Sequence, residues 1–318
     1  MSFHIMGTGS YVPDLIVSND DLSKIVDTND EWITSRTGIR HRHISVDETA
    51  SQMAAKAALA ALENSGLTAA DLDLILCATS SGDAICPNMA CQVQRDIGAT
   101  CPAVDLNGAC SAFLFLLETA AAYISTGRYR RILCVGTEQM SRILDWTDRS
   151  TCILFGDGAA GVVVEPGEDY LGTEIMVRGG DEVLKVPTHV GNSPFSKLEP
   201  THPYVCMNGS ETYKFATRTV PHQIQLLLDK TGVTQEQVDW VVCHQANRRI
   251  IEAAARRLKG IPAEKFLMNI EEYGNTSAAS IPLLLDECNR KGLFKRGDLI
   301  VLAAFGGGLS CVASLIRW

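Results

Sequence analysis

The chain has 318 residues, 46% hydrophobic and 20% charged, a balance that builds a large buried core and excludes a disordered tail or a small stapled scaffold. A formal net charge of −9 argues against general nucleic-acid binding. Eleven cysteines are scattered without a C-x-x-C pair or a zinc-type His spacing. They read as reduced thiols, so neither disulfides nor a metal is expected.

The first residues, "MSFHIMGTGSYVP", lack a charged region followed by a sustained apolar stretch. No later run of about 18 apolar residues occurs that would span a membrane. The expectation is a soluble cytoplasmic protein with no membrane partner. "TNDEWITSRTGIR" then offers Trp32, Arg36 and Arg40, an aromatic plate with cations suited to stacking a base and pairing phosphates. Helix packing is the plainer reading of Trp32. "ASQMAAKAALAALENSG" predicts a helix ending at Gly66 and "DLILCAT" a buried strand. "SAFLFLLETAAAYIST" predicts a second helix and "RILCVGT" another strand, so the order is that of α/β layers.

The second half repeats the first. "SGLTAADLDLILCAT" aligns without gaps to "TGVTQEQVDWVVCHQ", pairing Gly66 with Gly232, Asp73 with Asp239 and Cys77 with Cys243. "GACSA" follows against "GNTSA", and "FGDGAAGVVV" against "FGGGLSCVAS". Three matches in one order imply two similar α/β halves, 1–165 and 166–318, with no linker between them. Equivalent loops then meet about a pseudo-twofold axis. On this alignment Cys110 and Asn275 take equivalent places at strand-to-helix turns, while His244 ends "WVVCH" where the first half has Ala78. The axis would gather Cys110, His244 and Asn275 at the seam.

A cysteine is ordinarily core filler. Cys110 differs by its place at a helix start, where free N–H groups and the dipole favour a thiolate, which predicts a lowered thiol pKa. Its small neighbours Gly108, Ala109, Ser111 and Ala112 leave room for an acyl group. Asn275 also reads as the cap of a helix beginning near Thr276. "GDGAAG" satisfies G-x-G-x-x-G but lies between "CILF" and "VVVE", two predicted strands, so the dinucleotide reading is rejected. "FGGGLS" lacks the Lys-Ser/Thr of a phosphate loop. Its expected use is close approach to a reacting carbonyl, one N–H joining that of Cys110 as an oxyanion hole. Arg249 and Arg256 share a face of the helix after His244, Arg257 adjoins it, and Lys214 lies in the preceding helix. On a net-acidic chain these cations point to an acidic or phosphorylated partner.

"DTNDEWITSRTGIR", "GACSAF", "TDRSTCILFGDGAAG", "CHQANRRI", "YGNTSAAS" and "AFGGG", in this order and spacing, resemble bacterial β-ketoacyl-acyl carrier protein synthase III of the thiolase superfamily. The resemblance spans essentially the whole chain and implies two pseudo-twofold-related halves in a layered αβαβα body. It implies that Cys110 attacks an acyl-CoA and that malonyl-acyl carrier protein then loses CO2 to give the attacking carbanion, with no cofactor. His244 and Asn275 would donate to the developing enolate, and the N–H groups of Cys110 and Gly307 to the acyl oxyanion. By the same carry-over Trp32 and Arg149 sandwich the CoA adenine. Arg36, Thr37, Met207, Gly209 and Asn247 line the CoA channel, and Phe305 shields the site from water. Lys214, Arg249, Arg256 and Arg257 dock the carrier protein, and the chain works as a homodimer.

One departure bears on the acyl pocket. Many relatives carry Phe before the Pro of "FPSAAC", closing the acyl pocket across a dimer interface, where this chain reads "ICPNMAC" with Cys86. The smaller residue predicts tolerance of primers bulkier than acetyl. Three other readings compete: a papain-like Cys-His-Asn hydrolase, a condensing enzyme of polyketide or quinolone synthesis, and a catalytically silent subunit.

Overall fold

The computed structural model describes residues 2–188, 194, 195, 197, 201 and 204–318. The segment "PTHVGNSPFSKLEPTHPY" lies largely outside these residues. Each half contributes one five-stranded sheet. The first half holds β1 (Ser2–Tyr11), β2 (Leu74–Ala78), β3 (Ala103–Leu106), β4 (Ile132–Gln139) and β5 (Asp157–Gly167), in the sheet order β1-β5-β4-β2-β3. The second holds β6 (Tyr170–Val177), β7 (Trp240–Cys243), β8 (Phe266–Leu267), β9 (Leu299–Gly306) and β10 (Ser310–Arg317), in the order β6-β10-β9-β7-β8. The two orders are the same sequence of roles. In each, the central pair and one edge are parallel and the remaining pairs antiparallel. The first sheet ends at Gly167 and the second begins at Tyr170. The boundary expected at 165 therefore moves a few residues on, to the tight link between β5 and β6.

Helices cover both faces because the central strands are apolar on both. α4 (Ala112–Ser125) and α7 (Ser280–Arg290) lie between the sheets: Phe113, Leu116, Ile281 and Leu284 share one core with Leu76 of β2 and Leu302 of β9. α2 (Ala50–Ser65) and α3 (Met89–Ile97) cover the outer face of sheet one, where Met53, Leu62 and Val93 pack on Ile75 and Leu133. α5 (Gly209–Thr231) and α6 (Arg248–Arg257) do the same for sheet two through Ile224, Leu228 and Ile251. The result is the expected αβαβα layering. α2 and α5 both end on a left-handed glycine, Gly66 at φ 71° and Gly232 at φ 70°, a conformation that costs glycine little.

The repeat proves to be in a different register near the turns. The N–H of Asp73 donates to Arg131 O and that of Asp239 to Leu299 O, as the first alignment predicts. Beyond these strands the equivalent residues are Ala109 at φ 48° and Ser277 at φ 49°, each opening a short 3-10 turn that leads into α4 or α7. Two residues before each stands an asparagine whose Oδ1 accepts that residue's N–H: Asn107 to Ala109 at 3.1 Å, Asn275 to Ser277 at 2.8 Å. Asn275 thus pairs with Asn107 and Cys110 with Ala278, correcting the equivalence of Cys110 and Asn275. A gapless alignment missed a net shift of two residues that accumulates between the central strand and the turn. "CILF" is likewise not a strand: it forms turns, and β5 begins at Asp157 inside "GDGAAG". The motif still opens no helix.

Candidate active site

The pseudo-twofold crosses the two turns over. The Ala109–Ser111 turn packs against β9 and the Ser277–Ala279 turn against β4, each on the opposite half's sheet. Equivalent ends of these strands are Glu138 and Gly306 by their ladder positions. Gly306 is needed for the approach: a Cβ there would lie 2.8 Å from Cys110 N and 3.2 Å from Ser111 N, both backbone atoms. Ser111 Oγ meets Ser310 Oγ at 2.7 Å and pins the nucleophile turn to the hairpin that follows β9. The "FGGG" backbone is thereby brought beside Cys110, with Gly307 facing Ala109 and lining the same cavity.

That cavity, about 870 Å3, is lined by Cys110, His244, Asn275, Ser277 and Phe305 at its foot, and by Ile143, Leu184, Met207, Gly209, Tyr213 and Asn247 along its walls. The three polar candidates from distant parts of the chain are brought together. His244 is buried, its N–H on Ala303 O at 2.8 Å continuing the β7–β9 pairing. Its Nδ1 is 2.7 Å from Ser280 Oγ, which also accepts the Gln245 N–H. With the Ser280 proton given to Nδ1, Nε2–H is the donor toward the cavity. Phe305 meets the ring edge-on at 5.4 Å between centroids. Burial pushes the imidazole down to about 3, so it is neutral at physiological pH. Asn275 spends its Oδ1 on Ser277 N–H rather than on the first turn of an α-helix, since α7 starts only at Ser280. Its amide group remains for the cavity.

Cys110 departs from expectation. Burial pushes its thiol up to about 12, with a smaller downward effect from the Ser277 hydroxyl and an upward one from Glu138. A helix dipole supplies at most about 2 kcal/mol, short of the roughly 4 kcal/mol such a rise represents. Burial therefore favours the thiol form, against the lowered pKa expected from the helix start alone.

Trp32 on α1 (Asp30–Thr37), Arg36 and Arg149 do not line that cavity; Arg36 lies 4.9 Å and Arg149 5.4 Å from the Trp32 ring centroid. Arg149 is also held by Asp27 O, so a base entering between it and Trp32 must draw it back. Asn247 Nδ2 donates to Arg36 O at 3.0 Å, tying α1 to the cavity rim. Thr37 does not reach the channel: it is buried, its hydroxyl donating to Ile33 O and accepting Ile39 N–H. Arg40 pairs with Glu271 and Asp30 and is not free for a phosphate. Cys86 is exposed outside the cavity wall, while its neighbour Ile85, 90% exposed, lines it.

Lys214, Arg249, Arg256 and Arg257 are all exposed on α5 and α6. Glu211 offsets Lys214 at 2.8 Å and Glu252 lies 3.8 Å from Arg256, whereas Arg249 lies over the Tyr213 ring. Arg257 has no acidic partner among the described residues. No group of His, Cys, Asp and Glu suited to a metal occurs among the described residues, and no helix there is long and apolar enough to cross a membrane.

Comparison with known proteins decides the family. The model of 3-oxoacyl-[acyl-carrier-protein (ACP)] synthase III matches residues 104–179 and that of its C-terminal part residues 228–318. A beta-ketoacyl-[acyl-carrier-protein] synthase III of Clostridium acetobutylicum is 47% identical over 325 residues, covering 100% of this chain and 99% of that protein.

The chain belongs to the 3-oxoacyl-[acyl-carrier-protein] synthase III family.

The crystal structure of a synthase III from Aquifex aeolicus VF5 superposes with TM-score 0.93 at 44% identity, covering 99% of this chain and 100% of that one. The priming beta-ketosynthase of the R1128 polyketide pathway superposes with TM-score 0.92 at 33% identity, covering 99% and 96%. Family membership excludes the papain-like alternative. Sequence reasoning about this synthase missed Glu138, Ser277 and Ser280. One signal was available: Glu138 is a carboxylate at the end of an otherwise buried, uncharged strand.

Proposed function

We propose that this synthase performs a decarboxylative Claisen condensation of an acyl-CoA primer with malonyl-acyl carrier protein. The products are a 3-oxoacyl-acyl carrier protein, CO2 and CoA, in the initiation step of type II fatty acid biosynthesis. The observation that carries it is the pairing of a thiol nucleophile with two donors that have no proton-accepting task. Neutral His244 presents Nε2–H and Asn275 its amide, both suited to holding an enolate formed by loss of CO2. The N–H groups of Cys110 and Gly307 serve the acyl oxyanion. Phe305 keeps water from the carbanion, and a cavity of about 870 Å3 has room for the acyl group and the pantetheine arm.

Trp32 with Arg149 receives the adenine, Met207, Gly209 and Asn247 line the channel with Arg36 beside Asn247, and the exposed cations of α5 and α6 dock the acidic carrier protein. A homodimer in the cytoplasm belongs to the same reading. It is supported by the exposed apolar Ile85 at the cavity wall and Val104, 42% exposed, on edge strand β3. Cys86 lies outside this chain's own cavity, so it favours bulky primers through the dimer, by reaching the partner subunit's acyl pocket with a smaller residue. Intact mass spectrometry after incubation with mixed acetyl-, butyryl- and isobutyryl-CoA tests both points. An acyl adduct on Cys110 and turnover with malonyl-acyl carrier protein are expected, with the longer primers accepted. No adduct overturns the function, and strict acetyl preference overturns the primer reading. The likeness to the R1128 priming enzyme favours one second reading, priming of a polyketide chain. Turnover with a polyketide carrier protein in preference to a fatty-acid one would select it.

A further inference from the structure

The roles above leave one question open, where the Cys110 proton goes. His244 is a poor acceptor, being neutral down to about 3 with its Nε2 already carrying a proton. Another buried group lies close. Glu138, fully buried at the end of β4, collects donors from the loop after β2: Ser80 N–H and Oγ, Thr79 Oγ1 and Ser81 Oγ. A further donor comes from the other half of the chain, Ser277 Oγ at 2.9 Å from Oε1. No cation pairs with it among the described residues. Ser277 Oγ is also 3.3 Å from Cys110 Sγ. A hydroxyl has a single proton, and a carboxylate is a strong acceptor for it. At rest the hydroxyl can serve either acceptor, the Cys110 sulfur or the carboxylate; with its proton on Glu138, its lone pairs face the Cys110 S–H and the three groups make a chain from thiol to hydroxyl to carboxylate.

The turn shares its bend with that of Ala109 in the first half, at φ 48°, and here the bend carries a hydroxyl. Ser277 sits at φ 49°, a left-handed conformation uncommon outside glycine, fixed by the Asn275 Oδ1 bond to its N–H. The chain breaks the twofold symmetry of the site: at the equivalent place on β9 stands Gly306, which has no side chain to offer the turn of Cys110.

We propose that Ser277 and Glu138 form the path by which Cys110 gives up its proton during acyl transfer. As Sγ bonds to the acyl carbon, the thiol proton passes to Ser277 Oγ and the Ser277 proton to Glu138 Oε1. Collapse of the adduct breaks the bond between the acyl carbon and the CoA sulfur. The CoA thiolate takes one proton, returned from Glu138 through Ser277, so the net change is a thiol proton moved from Cys110 to CoA. Ser277 touches the reacting sulfur; Glu138 acts through it as a positioning residue. The inference rests on Cys110 being the acyl-CoA nucleophile. Around Glu138 the titratable groups are Cys110 across Ser277 and Cys77 on β2. Asp105 on β3 acts in turn on Cys77, Asp157 on β5 pairs with the adjoining Gln139, and neutral His244 lies across the cavity.

The test follows acylation of the full-length enzyme by acetyl-CoA with time-resolved intact mass spectrometry, over pH about 5.5 to 9.5, for wild type, Glu138→Gln and Ser277→Ala. Iodoacetamide alkylation of Cys110 is followed in parallel. The wild-type rate is expected to level off once Glu138 is ionised. Both variants are expected to load about 10²-fold more slowly at neutral pH and to gain about tenfold per pH unit as hydroxide takes over. Variants that load within about threefold of wild type with the same pH profile overturn the proposal. If Glu138→Gln does not fold, Ser277→Ala decides alone, since it removes one hydroxyl, and normal loading by it is the overturning result. A wild-type enzyme that never acylates Cys110 overturns the functional reading instead.

Discussion

Exchanging Asn275 for aspartate separates the two stages of the reaction, because one side-chain atom keeps its partner and the other is lost. Asn275 Oδ1 accepts the Ser277 N–H at 2.8 Å, and an aspartate oxygen can continue to do so. The turn that holds Ser277 against Cys110 is then preserved. The amide donor facing the cavity is gone, and a negative charge replaces it. Removing one preorganised donor to a developing oxyanion costs about 10²–10³ in rate, roughly 2.7–4 kcal/mol, and repulsion between carboxylate and enolate adds to this. Asn275→Asp is therefore expected to load acyl groups within about threefold of wild type. Its release of CO2 from malonyl-acyl carrier protein falls by at least about 10²-fold. Asn275→Ala also strands the buried Ser277 N–H, at about 1–3 kcal/mol of stability, and still loads. Cys110→Ala forms no acyl-enzyme. Intact mass spectrometry reads the loading and CO2 release reads the second stage. Loading lost in the Asn275 variants as fully as in Cys110→Ala would refute the division of roles.

Three further outcomes are expected. His244 has its folded pKa pushed below the unfolded value of about 6.5, so the unfolded chain binds the proton more tightly. Its contribution to stability is complete above about 6.5 and is lost as pH falls toward 3. From pH about 7 to about 5 the loss is roughly 2 kcal/mol, and the urea midpoint of wild type should drop more than that of His244→Gln; equal drops would contradict a buried neutral imidazole. Gly306→Ala puts a Cβ 2.8 Å from Cys110 N, against backbone that cannot turn aside. It should cost about 1–3 kcal/mol of stability and slow acylation, measured by thermal unfolding and loading rate. Arg257→Glu should raise the KM for malonyl-acyl carrier protein about tenfold in low salt without changing acyl-CoA loading. An unchanged KM would remove Arg257 from the docking face.

The halves, their layering and Cys110, His244 and Asn275 were legible in the chain because strands buried on both faces leave unbroken apolar runs. A polar residue interrupting such a pattern is conspicuous. Thr37 was not placed correctly, since whether a threonine faces a channel or folds back on Ile33 O depends on a rotamer that spacing does not encode. Arg40 was misread for a similar reason: Glu271, its ion-pair partner, lies far along the chain. The cations on α5 and α6 are exposed, but the acids beside Lys214 and Arg256, invisible to a count of cations, reduce what they contribute.

Residue order alone determined that this is a duplicated α/β chain with a cysteine at a helix start, a histidine at a strand end and an asparagine in a turn. Local physics suffices for that, since apolar periodicity, glycine caps and turn residues act over a few positions. Only the tertiary structure decided the register of the repeat, which pairs Asn275 with Asn107 and sets Ser277 opposite Ala109. It also decided the state of the nucleophile. A helix start favours a thiolate, but the desolvation that closing two halves over Cys110 imposes is the larger effect, and it is a property of the whole fold.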